Sequence, residues 1–157
     1  MRKRIITPVE KQNVDCEFQW LDIENIAIVE ITSEDAQFPI ESALLPAQER
    51  GWQASTAGEQ TVKIVFDTPQ DIHMIRLIFT EFELERTQEY ALSYSLDNDK
   101  SYQEIVRQQW TFSPNGSTTQ SEEHQVDLQG VNILKLIINP DLNNNNAFAS
   151  MKTLRLR

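Results

Sequence analysis

The sequence predicts an all-β chain, an antiparallel jelly-roll β-sandwich of about eight strands, and three observations carry that reading. Apolar and polar residues alternate with period two through successive short runs, as strands with one buried face require. All four glycines and all six prolines fall between those runs, where they favour turns. No stretch has a sustained helical period, although residues 40–45 fit one turn of helix before Pro46 stops it.

In chain order, the first strand is expected near residues 26–31 and a short one near 52–55. The run at 61–66 sets Val62, Ile64 and Phe66 against Thr61, Lys63 and Val65. The run at 72–80 places Ile75, Leu77 and Phe79 on one face, and 89–96 does the same with Tyr90, Leu92, Tyr94 and Leu96. Four more are expected at 102–109, 124–128, 131–138 and 148–156. Ile64, Phe66, Leu77, Phe79, Leu92, Tyr94, Leu136 and Leu154 are the expected core. Residues 25–157 form a single domain, on which residues 1–24 pack as an N-terminal extension pinned by Phe18 and Trp20.

The order of tight and long connections implies where the loops gather. Segments 67–71, 97–101 and 129–130 have turn chemistry and are short. If successive strands run antiparallel, the long connections 81–88, 110–123 and 139–147 lie together at the opposite end, with the excursion 32–51. A rim of long loops on a rigid sandwich suits recognition, and tolerated insertion is the competing reading.

The totals exclude several classes of function. A net charge of −10 opposes binding to nucleic acid or an anionic membrane, and the basic start Arg2-Lys3-Arg4 reads as a solubilising tail. Cys16 is the only cysteine, so no internal disulfide is possible and a cytoplasmic location is expected. His73 and His124 stand far apart with no His-x-His, and no Gly-x-Ser-x-Gly elbow or phosphate-cradling glycine loop occurs. No cofactor, metal or catalytic residue is expected. The acidic turn Asp97-Asn98-Asp99 and the loop residues Glu34, Asp35 and Glu41 lack the glycine and regular carboxylate spacing of a calcium loop.

The candidate ligand-binding residues are Arg50, Trp52, Arg86, Arg107, Gln109 and Trp110, all at or beside the inferred rim. An aromatic face beside bidentate Arg and amide donors suits a sugar ring or a planar peptide group. Trp52 and Trp110 are open to a second reading as core residues, since Trp is mostly buried. The arginines are equally open to pairing with Glu49, Glu85 and Glu89 to fasten the loops. Glycosidase carboxylates drawn from the acidic loops make a weaker alternative.

Residues 42–156 resemble the discoidin-like (coagulation-factor type C) branch of the galactose-binding-like superfamily. The marks are Gly51-Trp-Gln-Ala-Ser55, Gln60-Thr-Val-Lys-Ile-Val-Phe-Asp67, Ile72-His-Met-Ile-Arg-Leu-Ile-Phe79, Tyr90-Ala-Leu-Ser-Tyr-Ser-Leu-Asp97 with Ser101-Tyr-Gln-Glu-Ile105, and Ala149-Ser-Met-Lys-Thr-Leu-Arg-Leu156. The resemblance implies an eight-stranded jelly roll that meets sugars, lipids or protein partners at one rim. The terminal disulfide and first-loop Asp-Gly pair common in extracellular members are missing, and Ala43-Leu-Leu-Pro-Ala-Gln-Glu-Arg50 stands in that loop. The expected function is therefore a non-catalytic binding module for a carbohydrate or other small polar ligand. The alternative is an intracellular protein-protein interaction domain of the same fold.

Overall fold

The computed structural model describes residues 2–3, 20–48 and 50–157. The expectations placed on Arg4, Cys16, Phe18 and Glu49 lie outside them. The elements in order are α1 (Ile23–Ile26), β1 (Ala27–Ile31), α2 (Glu41–Leu44), β2 (Trp52–Ala57), β3 (Gln60–Thr80), β4 (Arg86–Ser95), β5 (Gln103–Phe112), β6 (Thr119–Asn139), β7 (Phe148–Met151) and β8 (Thr153–Leu156). The eight strands and the antiparallel sandwich match the expected class.

Strand boundaries differ from the expectation in an instructive way. The runs at 61–66 and 72–80 are two halves of the continuous β3, and 124–128 and 131–138 are likewise halves of β6. β3 and β6 pair antiparallel from Gln60↔Ile138 to Thr80↔Thr119, with register shifts between Val65 and Met74. Pro69 lacks an N–H to donate and Gly130 has φ +69°, so the ladder bends at these residues without ending. Gly130 N donates to Asp71 Oδ1 at 3.0 Å and ties the two bends together. Conversely, the expected strand 148–156 divides at Lys152: β7 pairs β2, while β8 pairs β3.

The bend makes the sandwich. Beyond it the strand order is β1-β3-β6-β4-β5, and before it the first half of β6, the second half of β3 and β8 form the opposing layer. Ile64 and Phe66 from one half of β3 meet Leu77 and Phe79 from the other in a single core with Leu92, Leu136 and Leu154. Tyr94 is a correction: it is half-buried, and its hydroxyl reaches out to Gln103 Oε1 at 2.6 Å. Seven of these aliphatic and aromatic side chains leave water on folding, each worth about 1.5–3 kcal/mol, which is why alternation in sequence dictates the layers.

The two helices are single turns, too short to stand alone, and packing holds them. Arg155 Nη1 donates to Ala43 O at 2.7 Å, a carbonyl at the end of α2, and its Nη2 donates at 3.1 Å to Leu45 O, which also accepts Gln48 N. The Arg76 guanidinium lies 4.8 Å and that of Arg157 5.6 Å from the Trp20 ring centroid, and Leu21 N donates to Leu156 O.

Candidate functional site

Because the ladder folds back on itself, the outer ends of β3, β4, β5 and β6 share one end of the sandwich. Glu81 N donates to Thr118 O, Leu142 N to Thr87 O and Gly58 N to Ala147 O, each at 2.9 Å. These bonds stitch the loops 81–85, 113–118 and 140–147 into one rim, as strand parity predicts. Between them opens a cleft of about 760 Å³, lined by Phe38 and Arg50 of the first loop, the stretch from Thr80 to Arg86, and Asn144, Asn146, Ala147 and Phe148 of the last.

Arg86 is the keystone of this rim and only 3 % exposed. Its Nε donates to Glu81 Oε1 at 2.8 Å, and Nη1 donates to Pro140 O at 2.8 Å and to Gln88 Oε1 at 3.2 Å. The guanidinium stacks 4.7 Å over Phe112, so the residue holds three rim segments at once. Burial works to raise the pKa of Glu81, but the Arg86 hydrogen bond, the N–H groups of Glu83 and Leu84 and the Arg86 charge carry it below the ordinary carboxylate value. Arg86 Nη2 is buried with no acceptor among the described residues.

The other predicted residues divide between three places. Arg50 is exposed in the cleft with its guanidinium 4.9 Å above Phe38. Trp52 is corrected to a core residue: it is 1 % exposed, and its indole Nε1 donates to Ser33 O at 3.1 Å. The small side chain of Ala54 and the tight approach of Gly51 to Met151 let β2 sink, which carries Trp52 inward. Trp110 packs half-buried against the core, because β5 continues to Phe112 and the residue faces inward beside Gln88. Its Nε1, with Gln120 Nε2, is a further buried donor lacking an acceptor.

Arg107 and Gln109 are a second correction, since they point to the outer face of the β1-β3-β6-β4-β5 layer and not into the cleft. Arg107 Nη1 and Gln109 Nε2 both donate to the Glu89 carboxylate, at 2.7 and 2.9 Å, and Arg107 Nη2 donates to Glu104 at 2.8 Å. Gln109 and then Arg107 lower the Glu89 pKa. Alternation along β5 explains the separation: Arg107 and Gln109 share one face while Trp110 and Phe112 occupy the other. The single site expected from these residues is thus two surfaces.

Sequence reasoning missed the apolar lining. Phe82 is 65 % exposed, Leu84 59 % and Phe148 46 %, and all three line the cleft. Their signal was present, since Phe82 and Leu84 are large apolar residues inside a loop of glutamates, with no strand to bury them.

Among the described residues, no group of three or more histidine, cysteine or acidic side chains is placed to hold a metal. The described helices include none long and apolar enough to cross a membrane.

Comparison with known proteins places this geometry. The fold is similar to a pectin-binding carbohydrate-binding module at 19 % identity and TM-score 0.60, covering 85 % of this chain and 91 % of that one. It is similar to CBM32-3 from a family 31 glycoside hydrolase of Clostridium perfringens at 17 % identity and TM-score 0.62, over 87 % and 93 % of the two chains. An F5/8 type C domain of a Bacteroides fragilis protein aligns at 15 % identity and TM-score 0.57, over 88 % and 94 %. At such identities the likeness establishes the jelly-roll sandwich fold alone. No curated protein matches the sequence. A family model described as the XRCC1 N terminal domain covers residues 21–136, from the first described tryptophan's neighbour through most of β6, and the chain belongs to that family.

Proposed function

We propose that the chain is a non-enzymatic binding module that holds a carbohydrate in the rim cleft. The observation that carries this reading is the pairing of exposed Phe82 and Phe148 with Arg50, Asn144 and Asn146 around one concavity. Ring faces take the apolar face of a sugar, and guanidinium and amide groups bond its hydroxyls. Similar solved folds include modules in complex with galactose and with GalNAc-β-1,3-galactose, which supports the same use of the scaffold. The chemistry of the cleft argues against hydrolysis. Glu81, partly buried in the cleft, has its pKa lowered beside Arg86, whereas a glycosidase acid needs a raised one, so Glu81 is unsuited to that role.

A glycan array followed by Phe148→Ala and Phe82→Ala in the best ligand tests the reading. Loss of binding at an unchanged melting temperature is expected. Retention of no glycan, or full binding by both variants, overturns it. A second reading, docking of a protein partner at the same rim, is favoured by the protruding Phe82 and Leu84, whose exposure is large for apolar side chains. Under that reading Leu84→Ala weakens capture of a partner while no sugar competes.

A further inference from the structure

We propose that residues 14–19 form a strap that docks in an apolar groove beside α1 and α2, with Val14, Cys16 and Phe18 turned into it. The groove has two adjoining lobes of about 350 and 280 Å³. Trp20 and Pro46 line the first, Val29 and Ile40 line the second, and both share Ile23, Leu44 and Leu45. The second lobe runs along β1, an edge strand whose described pairing is with β3 alone. The outer side of such a strand offers backbone donors and acceptors to an extended segment.

Three observations select this occupant. Trp20, the residue that directly follows the strap, lines the first lobe, so the covalent link delivers the strap to the mouth of the groove. From Val14 to Trp20 apolar residues alternate with Asp15, Glu17 and Gln19, which gives an extended strip one apolar face ending in Trp20. The charges agree as well. Residues 1–19 hold four basic side chains against three acidic, whereas the rest of the chain holds 10 against 21. Glu24 and Glu41 line the second lobe and make no ion pair among the described residues, and Lys11 precedes Val14 by three positions on the way toward them. A second copy of the chain, with its net charge of −10, is repelled from the same surface, while the tether holds the strap at about millimolar effective concentration. Because α2 walls the groove and lies in the first loop between Phe38 and Arg50, the strap also steadies the loop that supplies those two residues to the rim cleft.

Cys16, the only cysteine, serves as the reporter. In the full chain its thiol is expected to react with DTNB at least about ten-fold more slowly than in a free peptide of residues 10–20, the factor that an opening free energy of about 1.4 kcal/mol sets. The rate should not change with protein concentration, and Phe18→Ser should raise it to that of the peptide. Nuclear Overhauser contacts from the Phe18 ring to the methyl groups of Leu44 and Leu45 are expected in the unmodified chain and give the placement without any substitution. A thiol that reacts as fast in the full chain as in the peptide overturns the inference. Protection lost on dilution assigns the groove to a second copy and removes the strap. Protection that persists with Phe18 contacting residues outside the groove, or that survives Phe18→Ser, removes the groove assignment.

Discussion

Replacing Arg86 by alanine is the perturbation that most directly probes how the rim is held. The wild-type guanidinium donates to Glu81 Oε1, Pro140 O and Gln88 Oε1 and covers the Phe112 ring, and the residue is 3 % exposed. Alanine leaves the Glu81 carboxylate, whose side chain is only 18 % exposed, without its counter-charge and strands the Pro140 carbonyl. Removing one partner of a buried pair costs about 3–5 kcal/mol; the partial exposure of Glu81 places this case near the lower end, about 3 kcal/mol. For a domain of this size that corresponds to a fall in melting temperature of about 6–12 °C. Urea unfolding followed by tryptophan fluorescence measures it, because Trp52 and Trp110 report on core and rim. The paired control is Arg86→Met with Glu81→Leu, which removes both charges and should recover most of the loss. A loss below about 1 kcal/mol for Arg86→Ala, or a double variant as unstable as the single one, would refute the view that a desolvated ion pair locks the loops.

Phe79 is fully buried and stacks on Tyr90 with ring centroids 5.3 Å apart, so Phe79→Ala should cost about 3–5 kcal/mol in the same assay, and a cost below about 1 kcal/mol would show the inner face to be misassigned. Chelation should leave the melting temperature unchanged, because the first-loop carboxylates close the loop themselves: Glu34 Oε2 accepts Ile40 N at 2.9 Å and Asp35 Oδ1 accepts Gln37 N at 2.8 Å; a drop of several degrees on adding EDTA contradicts this. Asp97 accepts the hydroxyl and N–H of Ser101 and the hydroxyl of Ser95, which hold its pKa at about 2. Its ionised form is the one the fold favours, so its contribution is complete above the ordinary carboxylate pKa of about 4 and fades as the pH falls through about 2. The gap in melting temperature between wild type and Asp97→Asn should therefore be full at pH 7 and close between about pH 4 and pH 2; a gap independent of pH refutes the assignment.

The alternating runs in the sequence identified the layers because burial on one side of a strand leaves a period-two trace that local composition does not erase. Ile64, Phe66, Leu77 and Phe79 are buried as that trace requires. What the trace could not distinguish was a turn from a bend. Pro69 and Gly130 interrupt alternation equally well whether the chain reverses or merely shifts register, and pairing across more than fifty residues decided the outcome. The same blindness set the ends of β5. Loop composition and strand composition look alike over Gln108-Gln109-Trp110-Thr111, yet cross-strand bonds to Thr87 and Arg86 carry the strand on to Phe112.

That shift of a few residues is why the position of the site was readable and its membership was not. The location of the rim depends only on the parity of strands, and a bend that folds a ladder back preserves parity as faithfully as a turn does. The membership depends on which residues at each junction are still in a strand, because a strand residue is committed by alternation to one face while a loop residue is free to turn toward its neighbours. Extending β5 to Phe112 sent Trp110 inward and left Arg107 and Gln109 on the outer face with Glu89. Beginning β4 at Arg86 turned that residue into the rim's internal brace. The exposed side chains that face the cleft come mostly from the true loops, Phe82, Glu83, Leu84 and Glu85 on one side and Asn144 and Asn146 on the other, joined by Phe148 at the first position of β7. Their apolar members are exposed although nothing in the domain requires it, and each exposed ring forgoes the stabilisation that burial would bring. A binding role offsets that loss, since it is recovered when a ligand covers the rings.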